Sequence, residues 1–65
     1  MNFSEYVKQL RAGENTEWFA GVLGISQSGL SRVEKGEYNP SLKTLKGVAK
    51  FTGRTVDDLI KSFRL

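Results

Sequence analysis

Four times along this chain the same punctuation recurs: a side-chain oxygen suited to capping a helix, a run with apolar residues three and four apart, then a glycine. Ser4 to Gly13, Asn15 to Gly24, Ser26 to Gly36, and Asn39 or Ser41 to Gly53 form the series, and Thr55 opens a fifth run. Each cap accepts from an amide that the first helical turn leaves unpaired, and glycine takes the left-handed conformation in which many helices end. The spacing predicts an all-α chain of five short helices, with no strand required anywhere.

The apolar residues give each run a buried face. Phe3, Tyr6, Val7 and Leu10 suit a first helix over residues 4–12, and Phe19, Ala20 and Leu23 a second over 16–23. Leu30 and Val33 point inward from a third over 27–35. Leu42, Leu45, Val48 and Ala49 do so in a fourth after the loop GEYNPS, and Val56, Leu59, Ile60 and Phe63 in a last. Asp57 and Asp58 sit in that last helix's first turn, where carboxylates favour the helix dipole.

At 65 residues the expectation is one compact domain spanning 1–65, with no second domain to house an inducer and no small-molecule effector. There is no cysteine and no histidine, which removes disulfides, zinc-finger ligation and the commonest general base together. With no clustered carboxylates and no phosphate-cradling glycine loop either, neither an enzyme nor a cofactor site is expected. Glu5 and Lys8 interrupt the N-terminal run where a signal peptide would be apolar, and no window approaches a membrane span, so a soluble cytoplasmic protein without membrane contact is expected. Ten Lys and Arg against seven Asp and Glu give net charge +3. That favours a polyanionic partner, although scattered charge also suits a solubilising surface.

The stretch GISQSGLSRVEKGEYNP decides between those readings. Two helices joined by a tight turn at Gly24, the second short and rich in small polar residues, specify a helix-turn-helix. Ile25 plugs the hinge and Leu30 anchors the second helix from beneath, leaving Gln27, Ser28, Ser31 and Arg32 pointing outward as candidate base readers. A glutamine amide bonds bidentately to adenine, a serine hydroxyl donates or accepts at a base edge, and arginine reaches guanine or a phosphate. Lys35, Tyr38, Asn39 and Lys43 are candidate phosphate contacts, against the plainer reading of a solvated loop.

The segments FAGVLGIS, SGLSRVEKGEYNPSLKTL and VAKFTGRTVDDLI resemble the second helix, the recognition helix with its loop, and the closing helices of the Xre/Cro/phage-repressor helix-turn-helix domains. The resemblance runs from about Val7 to Ile60, and Gln27-Ser28-Gly29-Leu30 is similar to the Gln-Ser-Gly-Val run opening the phage lambda repressor's recognition helix. It implies a lambda repressor-like fold and double-stranded DNA as partner in a bacterial or phage setting; a homodimer on a palindromic operator is expected because one recognition helix reads too few base pairs to single out a site. The dimer contact implied lies around Tyr38, Asn39, Phe63 and Leu65. Three positions depart from the pattern. Thr16 replaces the usual glutamine at the start of the second helix, so its hydroxyl is expected to bond phosphate but to brace Gln27 less well. The link LRAGENTEW is short, which bears on whether Arg11 reaches Glu34 in a structural ion pair. Trp18 and Val22 stand one turn apart where charge is usual.

Trp18 suits either a partner surface or a contact with the chain's own termini, and Phe63 and Leu65 suit either a dimer contact or the local core. The rival to a DNA-binding regulator is therefore a protein-interaction module, such as an antitoxin or antirepressor-like factor, that docks its partner on Trp18 and Val22.

Overall fold

A computed structural model describes residues 1–37 and 39–65 and holds five α-helices and no strand among them. They are α1 (Phe3–Arg11), α2 (Thr16–Leu23), α3 (Gln27–Lys35), α4 (Leu42–Thr52) and α5 (Val56–Phe63). Four caps stand where the sequence places them. Asn15, Ser26, Ser41 and Thr55 accept from amides in the first turns of α2 to α5, so Ser41 rather than Asn39 caps α4.

The first helix differs from expectation at both ends. Its cap is Asn2, not Ser4: Asn2 accepts from the Glu5 amide at 2.9 Å while the Glu5 carboxylate accepts from the Asn2 amide, a reciprocal pair worth more than a lone serine. Ser4 lies inside the helix, its hydroxyl 3.1 Å from where a Cβ on Gly36 would stand. At the other end Ala12 already takes the left-handed conformation, at φ 53°, and Gly13 follows at φ 80°. Two consecutive left-handed residues turn the chain into α2 within the short link.

The core is assembled from Phe3 and Val7 of α1, Phe19, Ala20 and Leu23 of α2, Leu30 and Val33 of α3, Leu45, Val48 and Ala49 of α4, and Leu59 of α5. Helix α3 packs on α1 and α2, α2 also on α4, and α4 on α5. Leu42 and Ile60, expected inward, are instead exposed: the buried face of α4 begins only at Thr44, and in α5 Leu59 alone is fully covered.

One glycine was not read as structural from the sequence. A Cβ on Gly47, in the middle of α4, would stand 2.2 Å from the Leu23 carbonyl oxygen and 2.9 Å from its Cα. Only a residue without a side chain lets α4 lie directly on the last turn of α2, so the helix tolerates a residue that weakens it by about 1 kcal/mol.

The last helix is tied back to the first through Arg54. Its guanidinium donates to the Asp58 carboxylate and, at 2.8 Å, to the Ser62 hydroxyl, and lies 5.4 Å and 5.6 Å from the ring centres of Tyr6 and Phe63. The hydrogen bond from Arg54 holds the Asp58 carboxyl below its ordinary pKa. Phe63 in turn meets Phe3 edge-on at 5.5 Å, so its ring belongs to the chain's own packing. Among the described residues no helix is long and apolar enough to cross a membrane.

Candidate nucleic-acid interface

The turn between α2 and α3 is built from the backbone outward. Gly24, at φ 76°, donates to the Gly21 carbonyl at 3.1 Å, and Ile25 donates to the Ala20 carbonyl at 3.0 Å, the paired bonds by which a left-handed residue closes a helix. Ile25 then packs against the core, and Ser26 immediately caps α3, accepting from the Gly29 amide at 3.0 Å. Two helices are thus held at a fixed crossing by a three-residue joint, Gly24 to Ser26.

In α3, Leu30, Val33 and Glu34 are buried, and the remaining positions divide cleanly from them. Gln27, Ser28, Ser31, Arg32 and Lys35 are all exposed and, at about 100° per residue, fall within one arc of roughly 140° on the opposite face. No acidic side chain lies in that arc. The four candidate base readers and one candidate phosphate contact therefore share a single surface, with Gln27 and Ser28 at the N-terminal end where amides are aimed outward.

Gln27 does not hang free in solvent. Its side-chain amide donates to the Thr16 hydroxyl at 2.8 Å, across the joint from α3 to the first residue of α2. An amide nitrogen carries two hydrogens, so this bond leaves one donor and the carbonyl acceptor of Gln27 pointing outward, the pair an adenine edge requires. A threonine at this position, shorter than the glutamine usual there, thus still supplies an acceptor to Gln27, because it is the first residue of α2 and lies directly across the turn. Ser28 shares a 3.3 Å hydroxyl contact with Ser26, which orients it beside the cap.

Behind this face lies the Arg11–Glu34 pair. Arg11 Nε donates to Glu34 Oε2 at 2.8 Å and Nη2 to Oε1 at 3.0 Å, while Nη1 donates to the Glu14 carbonyl at 2.9 Å. One guanidinium thereby fixes the end of α1, the short link and the last turn of α3 at once. The carboxylate hydrogen bond raises the Arg11 pKa above its ordinary value, and Glu34 is 8% exposed. The shortened link does not prevent the contact; Arg11 sits in the last turn of α1 and reaches directly across to α3.

Asn39, in the loop before α4, and Lys43, in the first turn of α4, are both exposed. Tyr38, expected both as a phosphate contact and at a dimer surface, lies outside the described residues. Trp18 and Val22 are exposed on α2, at 52% and 40%, and Leu65 at 39%. No group of three or more acidic side chains among the described residues is placed to hold a metal ion.

A tight glycine joint, a capped helix presenting an uninterrupted polar face, and a braced glutamine at its start define a helix-turn-helix domain. The helix-turn-helix family profile matches residues 7–59, and the chain belongs to that lambda repressor-like family. It is 36% identical over 67 aligned positions to the HTH-type transcriptional activator BcrR of Enterococcus faecalis, an alignment covering all of this chain and 33% of that protein. It is 41% identical to the plasmid copy control protein CopR of Streptococcus agalactiae, over 89% of this chain and 64% of CopR. With the HTH-type transcriptional regulator DdrOP3 of Deinococcus deserti it shares 40% identity over 94% of this chain and 49% of that protein. The chain thus spans between a third and two thirds of the length of these relatives. The family and these relatives are regulators rather than enzymes.

Proposed function

We propose that this chain is a sequence-specific, double-stranded DNA-binding transcriptional regulator that reads the major groove with α3 and acts as a homodimer on a palindromic operator. The observation that carries the reading is the Gln27–Thr16 hydrogen bond, which holds a base-reading amide in one orientation at the leading end of an exposed polar helix. Gln27, Ser28, Ser31 and Arg32 read bases, while Thr16, Lys35, Lys43, Asn39 and Tyr38 track phosphates. The names of the relatives, an activator, a copy control protein and a regulator, support control of transcription as the purpose of that binding.

The dimer follows from read length. One α3 covers only a few base pairs, too few to single out an operator among the competing sites of a genome, and two copies about a two-fold axis double it. A cleft of about 270 Å³ lined in part by Val33, Asn39, Pro40 and Leu65, beside the C-terminal end of α3, is the surface on which the two copies meet in this reading. It is small, so pairing is weak in free solution and cooperative on DNA.

Random-site selection followed by sedimentation on the best site tests both parts. The expected outcome is a two-fold symmetric site with half-sites about one helical turn apart and two chains per duplex. Selection yielding no enriched sequence removes sequence-specific reading, and a saturating one-to-one complex on an asymmetric site removes the dimer.

A further inference from the structure

The seam between α2 and α4 carries an apolar strip on one side and a row of cations on the other; of these residues only Lys43, at the start of α4, belongs to the proposed DNA-reading surface. On α2, Trp18 and Val22 are exposed one turn apart on the flank that continues from Phe19. The buried Phe19 ring lies 6.1 Å from Trp18 and meets Phe51 of α4 edge-on at 5.3 Å, so exposed Trp18 on α2 and Phe51, 42% exposed, on α4 flank one ring of the core. Next to Phe51 on α4 comes Gly47, which lies on the backbone of Leu23 and raises no side chain above the seam. Beyond Gly47, within about 100° around the helix, stand Lys43, Lys46 and Lys50, all exposed, and α4 contains no acidic residue. Glu17, the acid of α2, lies on the far flank of Trp18, away from α4.

We propose that this seam docks an acidic amphipathic segment of a partner protein, its apolar side chains on Trp18, Val22 and Phe51 and its carboxylates toward Lys46 and Lys50. The choice of occupant follows from the arrangement of charge. Cations line only one edge of the strip, which matches a linear segment with one acidic edge and not a flat anionic surface that would reward lysines on every side. A second copy of this chain does not match: its face here is cationic like the first, and its acidic pair at the start of α5 includes Asp58, already engaged by Arg54. A partner bound here lies beside the joint of α2 and α3 without covering Gln27 or Arg32, so the protein holds DNA and partner together.

Trp18 is the chain's one tryptophan, which makes the test direct. A synthetic amphipathic peptide of about four helical turns, with leucine and phenylalanine along one face and glutamate beside it, is titrated into the full chain while Trp18 emission is followed. The expected result is a saturable blue shift. The peptide's affinity is expected to fall about tenfold in Lys46→Gln/Lys50→Gln and in Val22→Ser, with operator affinity within about twofold of the parent. All three positions are exposed, and circular dichroism verifies that the helices persist. An unshifted Trp18 overturns the proposal. So does equal binding of a scrambled peptide of the same composition, or an equal shift on vesicles of anionic lipid. Loss of duplex affinity instead of peptide affinity in the lysine variant overturns it too and makes the row a phosphate contact. Because the readout is Trp18 emission without DNA present, its failure is separate from any failure of operator binding.

Discussion

Gln27, the leading base reader of the proposed function, owes its orientation to a neighbour as well as to its own side chain. The amide is useful at a base edge only when its rotamer is held, and the hydrogen bond to Thr16 supplies that from a different helix. Gln27→Ala is expected to cost about 1–3 kcal/mol on the selected operator and to relax preference at one base position, measured by titration against operator and point-substituted duplexes. Thr16→Val, which keeps the shape and removes the acceptor, is expected to lose less, and the two changes together less than their sum, because the second removes a brace that no longer has anything to hold. If Gln27→Ala weakens operator and scrambled DNA equally, the residue contacts phosphate. Glu34 works one layer deeper. Glu34→Ala leaves Arg11 partly enclosed with no carboxylate, and thermal melting is expected to drop by several degrees; Glu34→Gln, which keeps one hydrogen bond, drops less. An unchanged melting temperature in Glu34→Ala would show that the bidentate pair contributes nothing to stability.

At the scale of elements, two helical glycines that look alike in sequence are expected to behave oppositely. Gly21 of α2 has nothing within 4 Å of where a Cβ would go, and Gly47 of α4 has the Leu23 backbone 2.2 Å away. Gly21→Ala should stabilise the protein by about 0.5–1 kcal/mol, since only helix propensity changes. Gly47→Ala gains the same propensity but forces α4 off α2, and overpacking of that kind costs about 1–3 kcal/mol, so the net sign reverses. Chemical denaturation of the two variants measures the difference, and two equal shifts would show that α2 and α4 move apart freely. The consequence reaches function: α4 carries Lys43 and abuts the joint that orients α3, so Gly47→Ala should also weaken operator binding while Gly21→Ala should not.

Across the whole molecule, charge that is scattered along the chain becomes directional only on folding. Arg32 and Lys35 meet on the α3 face while Lys43 stands at the start of α4, and Glu34, between the first two in sequence, is turned inward to Arg11. A steep fall of DNA affinity with salt is expected, by about 0.9 in log–log slope for each phosphate neutralised. Lys35→Gln and Lys43→Gln should each reduce that slope by about one and weaken binding to all sequences alike. A slope near zero in the parent would mean that this face does not track phosphates.

What the sequence by itself determined is local: four of five helix caps, the joint at Gly24, the polar composition of α3 and most of the buried residues, because capping, left-handed glycine and apolar spacing act within a few residues of each other. It also carried the family resemblance, since that rests on the same short segments. The tertiary structure alone decided what depends on distances between helices. One local feature stands apart from these: Asn2 rather than Ser4 caps α1 through its reciprocal bond with Glu5, three residues on, which a scan for serine before an apolar run overlooks. Leu42 and Ile60 kept the right period and still faced outward, because period says which residues share a face and not whether another helix covers it. That Thr16 meets Gln27 at all, at 2.8 Å, follows from the crossing of α2 and α3 and not from either residue's neighbours in sequence. Gly47 carried one hint, a helix-weakening residue in mid-helix, and only the Leu23 carbonyl opposite it gave the reason.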